Sequence, residues 1–195
     1  MRTRPSILMV GSIEPRKGYL QALTAFSELW DDGADVNLVI VGREGWRGLD
    51  SQARRDIPAT IEKLHAHPER GHRLHWLSEA SDEYLGRVYD EAACLLAASY
   101  GEGFGLPLIE AAGHGLPLLV RDIPVFREVA GSRASYFQAD SAGQLASAVR
   151  HWLALHGQNL HPSSAGLARI TWDEMAASIK QMLMKASAEN GGIKK

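Results

Sequence analysis

Two short runs, Ser6–Val10 (SILMV) and Val36–Val41 (VNLVIV), are apolar on both faces instead of alternating with polar residues. A strand of that kind cannot lie on a sheet with one wet side. It needs cover above and below, as in the centre of a parallel sheet packed between helices. Weaker β-rich runs follow at Arg73–Leu77, Cys94–Ala98, Leu118–Val120 and Ser135–Phe137, and each gap can hold a helix. Repeated βαβ units with right-handed crossovers predict a doubly wound parallel α/β sheet.

The helical patterns support this layout. From Tyr19 onward, Leu20, Leu23, Phe26, Leu29 and Trp30 recur at helical spacing, and Gly33 stands where a C′ glycine ends a helix. Ser81, followed by Asp82 and Glu83, reads as an N-cap with two acids in the first turn, ahead of Leu85, Val88 and Tyr89. Ser141 begins another helix, with Leu145, Val149, Trp152 and Leu153 as its stripe. Thr171-Trp172-Asp173-Glu174 forms a capping box for an amphipathic helix through Met175, Ile179, Met182 and Leu183. That stripe is expected either to pack on its own domain or to stay partly exposed. With no repeat or linker in between, residues 1–187 read as one domain and 188–195 as a flexible tail.

Composition removes several classes of function. Cys94 is the single cysteine, which rules out a disulfide framework and a cysteine-based zinc site. The formal charge of −2 provides no basic field for nucleic acid, although protonating the eight histidines would reverse its sign. No apolar run approaches the roughly 18 residues of a membrane span, and no signal-peptide core opens the chain. A cytoplasmic, soluble domain is expected. His65, His67, His72 and His75, with Glu69 among them, lack metal-ligand spacing and read as structural or solvated, so no metal is expected. Asp31 and Asp32 read as a solvated helix end, His114 as a helix cap, and Trp30, Trp152, Trp172 and Cys94 as core.

Ligands of open parallel sheets bind beyond the C-terminal strand ends, so the loops there carry the chemistry. The first is Gly11-Ser12-Ile13-Glu14-Pro15-Arg16-Lys17-Gly18. Two adjacent cations and close-approach glycines before a helix N-terminus suit phosphate. The spacing is not that of a Walker loop, and a solvated loop with both cations facing water is the other reading. More informative is Gly101-Glu102-Gly103-Phe104-Gly105-Leu106-Pro107, leading to Glu110 and Gly113. Three glycines in five residues impose a tight turn, and Pro107 fits the first turn of the helix that follows. The turn and helix N-terminus form a second anion cradle, flanked by Glu102 and Glu110. A carboxylate can accept both protons of a vicinal diol, so a sugar or ribose is a natural ligand.

These segments (EGFGLPLIEAAGHGLPLLV, the GS-x-EPRKG loop and DIPVFREVAG) closely resemble the donor-binding half of retaining GT-B glycosyltransferases, the family-4 or group 1 class. The resemblance runs from about Ile7 to the Trp172 helix, and its Glu-x7-Glu motif is the most specific part. It implies a single Rossmann-like GT-B lobe that binds a nucleotide-diphosphate sugar, a GDP- or UDP-sugar, without a metal or other cofactor. Arg16 and Lys17 look like the cations on the donor diphosphate, with Gly11, Ser12, Gly105 and Leu106 contributing around it. Glu102 looks like the first motif glutamate, placed against the donor sugar with Gly103, Phe104 and Gly105; Glu102 and Lys17 would be the catalytic pair. Glu110 looks like the ribose-binding glutamate, and Leu77 and Ser78 sit where the nucleobase is contacted. Many members carry an arginine directly after the first glycine. Here Ser12 stands there, and Arg16 takes over that charge, as in members with an EPRK loop.

The same resemblance places the acceptor on an N-terminal domain of similar size, for which a 195-residue chain has no room. It implies activity only within a two-domain protein, in surface polysaccharide or lipopolysaccharide synthesis, with peripheral association at the inner membrane face through the other half. The DIPVFREVAG stretch is similar to that of mannosyltransferases, which favours GDP-mannose. Retention in the class is ascribed to same-face attack, making Glu102 a positioning and electrostatic group rather than a nucleophile. A nucleotide-sugar-binding module with no turnover is the alternative from another class. A nucleotide-sugar epimerase is a third reading, against which the Glu-x7-Glu pattern stands.

Overall fold

The computed structural model describes residues 4–50, 52–167, 176–177 and 179–185. Among the described residues six strands, all parallel, alternate with helices along the chain. In order these are β1 (Ser6–Val10), α1 (Tyr19–Asp31), β2 (Asn37–Val41), α2 (Ile57–Ala66), β3 (Leu74–Leu77) and α3 (Asp82–Glu91). Next come β4 (Cys94–Ala97), α4 (Leu106–Gly113), β5 (Leu118–Arg121), α5 (Pro124–Ala130), β6 (Ser135–Phe137) and α6 (Ala142–Gly157). The sheet runs β3-β2-β1-β4-β5-β6, the order of a Rossmann-like doubly wound fold.

The two-sided strands form the middle of this sheet. Ile7 and Met9 of β1, Leu38 and Ile40 of β2, and Cys94 and Leu96 of β4 face a core closed by α1, α2 and α6. Leu8, Val41, Leu95, Leu118 and Val120 face a second core beneath α3, α4 and α5. Trp30, Trp152 and Cys94 are buried as expected. Each side chain the size of Leu or Phe that leaves water in these layers contributes about 1.5–3 kcal/mol before conformational entropy is charged against it.

The helix ends follow local chemistry. The Ser81 hydroxyl accepts from the Tyr84 N–H, and Ser141 forms a complete capping box with Gln144. Gly33 follows the last turn of α1, and His114 is the C-cap of α4. The Thr171–Met175 capping box and the 188–195 tail lie outside the described residues. Residues 179–185 are helical, and Ile179, Met182 and Leu183 are exposed. Among the described residues no helix is long and apolar enough to cross a membrane.

Candidate functional site

After β1 the chain turns towards β2, and after β4 it turns the opposite way, towards β5. The crevice between two such strands is where an open α/β sheet receives its ligand. Here β1 and β4 are in register at Ile7 with Cys94 and Leu8 with Leu95. Beyond those pairs the strand ends part. Val10, Lys17, Ala97, Ser99, Glu102 and Gly105 surround a cavity of about 20 Å³, room for a single water.

The loop after β1 is fixed at several points. Gly11 N–H donates to the Val41 carbonyl at 2.9 Å, and Ile13 N–H to that of Arg43 at 2.8 Å. The Tyr19 hydroxyl donates to the Gly11 carbonyl at 2.6 Å. Pro15–Lys17 make one 3-10 turn, which puts both cations immediately before α1. The Ser12 hydroxyl donates to Glu14, and Glu14 Oε2 takes Arg16 Nε at 3.0 Å. Ser12 therefore occupies the expected arginine position as part of a chain that orients Arg16. Tyr100 N–H donates to the Arg16 carbonyl at 2.8 Å, tying this loop to the one after β4.

Glu102 is the centre of the cluster. Its Oε1 lies 2.5 Å from Lys17 Nζ and accepts from the Ser99 hydroxyl at 2.8 Å. Its Oε2 takes Arg16 Nη1, which also donates to the Gly101 carbonyl at 3.2 Å. The Glu102 side chain is 8% exposed, Lys17 13% and Arg16 44%. Burial alone would raise the Glu102 pKa. Hydrogen bonds from Lys17, Ser99 and Arg16 outweigh it and hold the carboxyl below its ordinary value. Arg16 is held above its own, its burial offset by Glu102 and Glu14. The reading of both cations as solvated fails for Lys17, which is mostly buried. Together the four charged groups neutralise one another.

Gly105 caps α4 in the left-handed region at φ +88, where a Cβ would lie 3.0 Å from a Phe126 ring carbon. Only glycine satisfies both conditions, so the glycine-rich turn delivers the α4 N-terminus to the crevice. Pro107 stands in the first turn, as expected. Gly103, Phe104 and Leu106 are exposed on the outer rim. Glu110 lies on α4 outside the Glu102 cluster and accepts from the Tyr89 hydroxyl at 2.8 Å. Leu77 ends β3, its carbonyl accepting from Gly42 N–H at 3.0 Å. Its side chain packs on the α3 face, and neither it nor Ser78 bonds to the cluster.

Several participants escaped the sequence reading. Glu14 was visible in the EPRK loop, but its part depends on where Ser12 points. Tyr89 reads as part of the apolar stripe of α3, although a buried tyrosine hydroxyl usually finds a hydrogen-bond partner. Arg121 ends the buried strand β5 and donates to the Ala98 and Ala139 carbonyls and to Gln21, under the Tyr100 ring. The signal was a cation closing an apolar run. The histidine cluster divides among local partners: His67 meets Ser27, His72 meets Glu69, and His65 packs on Trp76. Among the described residues no three His, Cys, Asp or Glu side chains group as metal ligands do.

Residues 2–166 match the family described as "Glycosyl transferases group 1". The chain belongs to this family. It is 47% identical over 176 residues to "Serotype-specific mannosyltransferase WbdA" of Escherichia coli, covering 90% of this chain and 20% of that protein. It is 31% identical over 144 residues to "O-antigen chain mannosyltransferase RfbU" of Salmonella typhimurium, covering 74% of this chain and 37% of that protein. The chain thus spans only about a fifth to two fifths of these relatives. In three dimensions it is similar to the sucrose-phosphate synthase of Thermosynechococcus elongatus, with TM-score 0.72 at 23% identity over 95% of this chain and 46% of the other. A trehalose-phosphate synthase of Burkholderia vietnamiensis superposes with TM-score 0.69 at 15% identity, over 94% and 45%. At these identities the likeness shows the fold: this group 1 chain is a GT-B-type Rossmann-like lobe.

Proposed function

We propose that this lobe binds the nucleotide-diphosphate sugar in a retaining glycosyl transfer, within bacterial surface polysaccharide synthesis. The observation that carries the reading is the convergence of Arg16, Lys17, Glu102 and the α4 N-terminus at the switch-point crevice. Breaking the anomeric C–O bond leaves about two negative charges on the departing diphosphate, and preorganised cations and N–H groups lower that cost. Arg16 and Lys17 take the diphosphate, with Gly11, Ser12, Gly105 and Leu106 around it. Glu110 takes the ribose, and Leu77 and Ser78 lie towards the base.

Glu102 stays ionised near neutrality, so it accepts hydrogen bonds from sugar hydroxyls and does not serve as a general acid. Lys17 and Ser99 on Oε1 and Arg16 on Oε2 favour a positioning, electrostatic role over a nucleophilic one. The cavity beneath it is too small for a sugar, so the donor lies across the exposed rim of Gly103, Phe104 and Leu106. The mannosyltransferase relatives favour a mannosyl donor, in keeping with the GDP-mannose expected from the DIPVFREVAG stretch.

Calorimetric titration with GDP, UDP, ADP and their sugars tests the reading. At least one is expected to bind, and Lys17→Ala to weaken it about tenfold to a hundredfold, as for a lost hydrogen bond to a charged group. If no nucleotide binds, or Lys17→Ala changes nothing, the reading fails. The alternative reading is a nucleotide-sugar-binding module with no turnover by itself. Donor binding without transfer or hydrolysis by this chain supports it, with the acceptor site supplied by further polypeptide; turnover by this chain alone overturns it.

A further inference from the structure

Glu110 stands on the exposed side of α4, where a glutamate ordinarily samples many rotamers. This one is held. The Tyr89 hydroxyl, from α3, donates to its Oε2 at 2.8 Å. The Tyr89 ring is 3% exposed and stacks on His114, centroids 5.2 Å apart and planes inclined by 18°. The His114 Nδ1 in turn lies 2.7 Å from Asp90 Oδ1. Two residues of α3, Tyr89 and Asp90, thus clamp Glu110 of α4 and His114 at its C-cap. The donor itself has no freedom to swing away.

We propose that Tyr89 is a positioning residue for diol recognition: its buried hydroxyl fixes the Glu110 carboxylate so that the remaining lone pairs receive both hydroxyls of a nucleotide ribose. The proposal rests on the reading of Glu110 as the ribose-binding residue. An ionised carboxylate offers about four acceptor positions, and Tyr89 occupies one of them on Oε2. Oε1 and the outer side of Oε2 are left, the pair that two neighbouring hydroxyls can engage at once. Burial, and then the Glu110 charge, raise the tyrosine pKa, so the hydroxyl keeps its proton and remains a donor. The entropy of fixing the carboxylate is met on folding rather than on binding, which is how preorganisation raises affinity.

A purely structural clamp between α3 and α4 would affect all ligands alike, whereas a positioning role acts only on ligands with the diol. Wild type and Tyr89→Phe are titrated with GDP and with 2′,3′-dideoxy-GDP, and in parallel with the two uridine counterparts. Tyr89→Phe is expected to weaken the ribonucleotide about fivefold, one ordinary hydrogen bond, and to leave the dideoxy nucleotide unchanged. Equal weakening of both, or of neither, overturns the proposal. If no nucleoside diphosphate binds wild type, the donor reading itself falls, and this proposal with it. If Tyr89→Phe does not fold, 19F NMR of the wild-type chain carrying 3-fluorotyrosine replaces it, with the other four tyrosines assigned by substitution. The Tyr89 resonance is expected to move with GDP and not with the dideoxy analogue; a resonance indifferent to the diol overturns the proposal.

Discussion

At the scale of single residues, the candidate site is organised by one carboxylate. Glu102 pairs with Lys17 and Arg16 and accepts from Ser99, and its pKa is depressed in the folded chain. A depressed carboxyl contributes stability that is complete above the unfolded value, near pH 4.3, and fades as pH falls through the folded value. Glu102→Gln is therefore expected to cost about 1–2 kcal/mol at pH 7, a modest figure because Arg16 is half exposed. In urea unfolding from pH 7 to pH 3, the gap to wild type should hold down to roughly pH 4.3 and close below it. A gap that widened in acid would contradict the ion pairs. Residue types and spacing singled out Arg16, Lys17, Glu102 and Glu110 as candidates, and the first three meet in the structure. What they touch was not legible. That Glu14 steers Arg16 and Tyr89 steers Glu110 depends on side-chain directions set by packing across 21 residues of chain in the second case.

At the scale of elements, strands and caps were readable because each obeys a local rule. Two-sided apolar runs became β1 and β2, and Ser81 and Ser141 became caps. Boundaries moved by one residue where tertiary pairing decided them. Val36 precedes β2, Ala98 follows β4, and Arg121 extends β5 because its backbone pairs with Phe137. Helices α2 and α5 read from the sequence only as occupants of gaps, although Pro58 and Pro124 stand in their first turns. The tightest junction lies at the end of β2. Gly42 has φ +152, and a Cβ there would fall 2.0 Å from the Gly11 carbonyl oxygen. Gly42→Ala is expected to lower stability by roughly 2–4 kcal/mol, through backbone strain and displacement of the β1 loop. Chemical denaturation would show it as a reduced midpoint, and a neutral result would mean that this close approach relaxes freely.

At the scale of the whole molecule, the crevice is shared by two halves of the chain. One half supplies residues 11–18 after β1 and the other residues 99–110 after β4. A nucleoside diphosphate should slow amide hydrogen exchange in both segments together, and protection of one alone would argue against a shared site. Sheet order was predictable as doubly wound, but the parting of β1 and β4 beyond Leu8 and Leu95 was not, because no periodicity encodes a divergence. That seam also governs when the cluster around Glu102 can assemble. Ile7 must find Cys94, a distant partner whose loop-closure entropy is met before any contact rewards it, and such pairings make parallel sheets slow to fold. A chain emerging from the ribosome displays Arg16 and Lys17 long before Glu102 is synthesised. Until β4 docks beside β1, Arg16 keeps only Glu14, Lys17 has no carboxylate partner, and α4 has no strand to aim it. Half-folded forms in which β4 has not docked beside β1 therefore lack the pairs of Glu102 with Lys17 and Arg16.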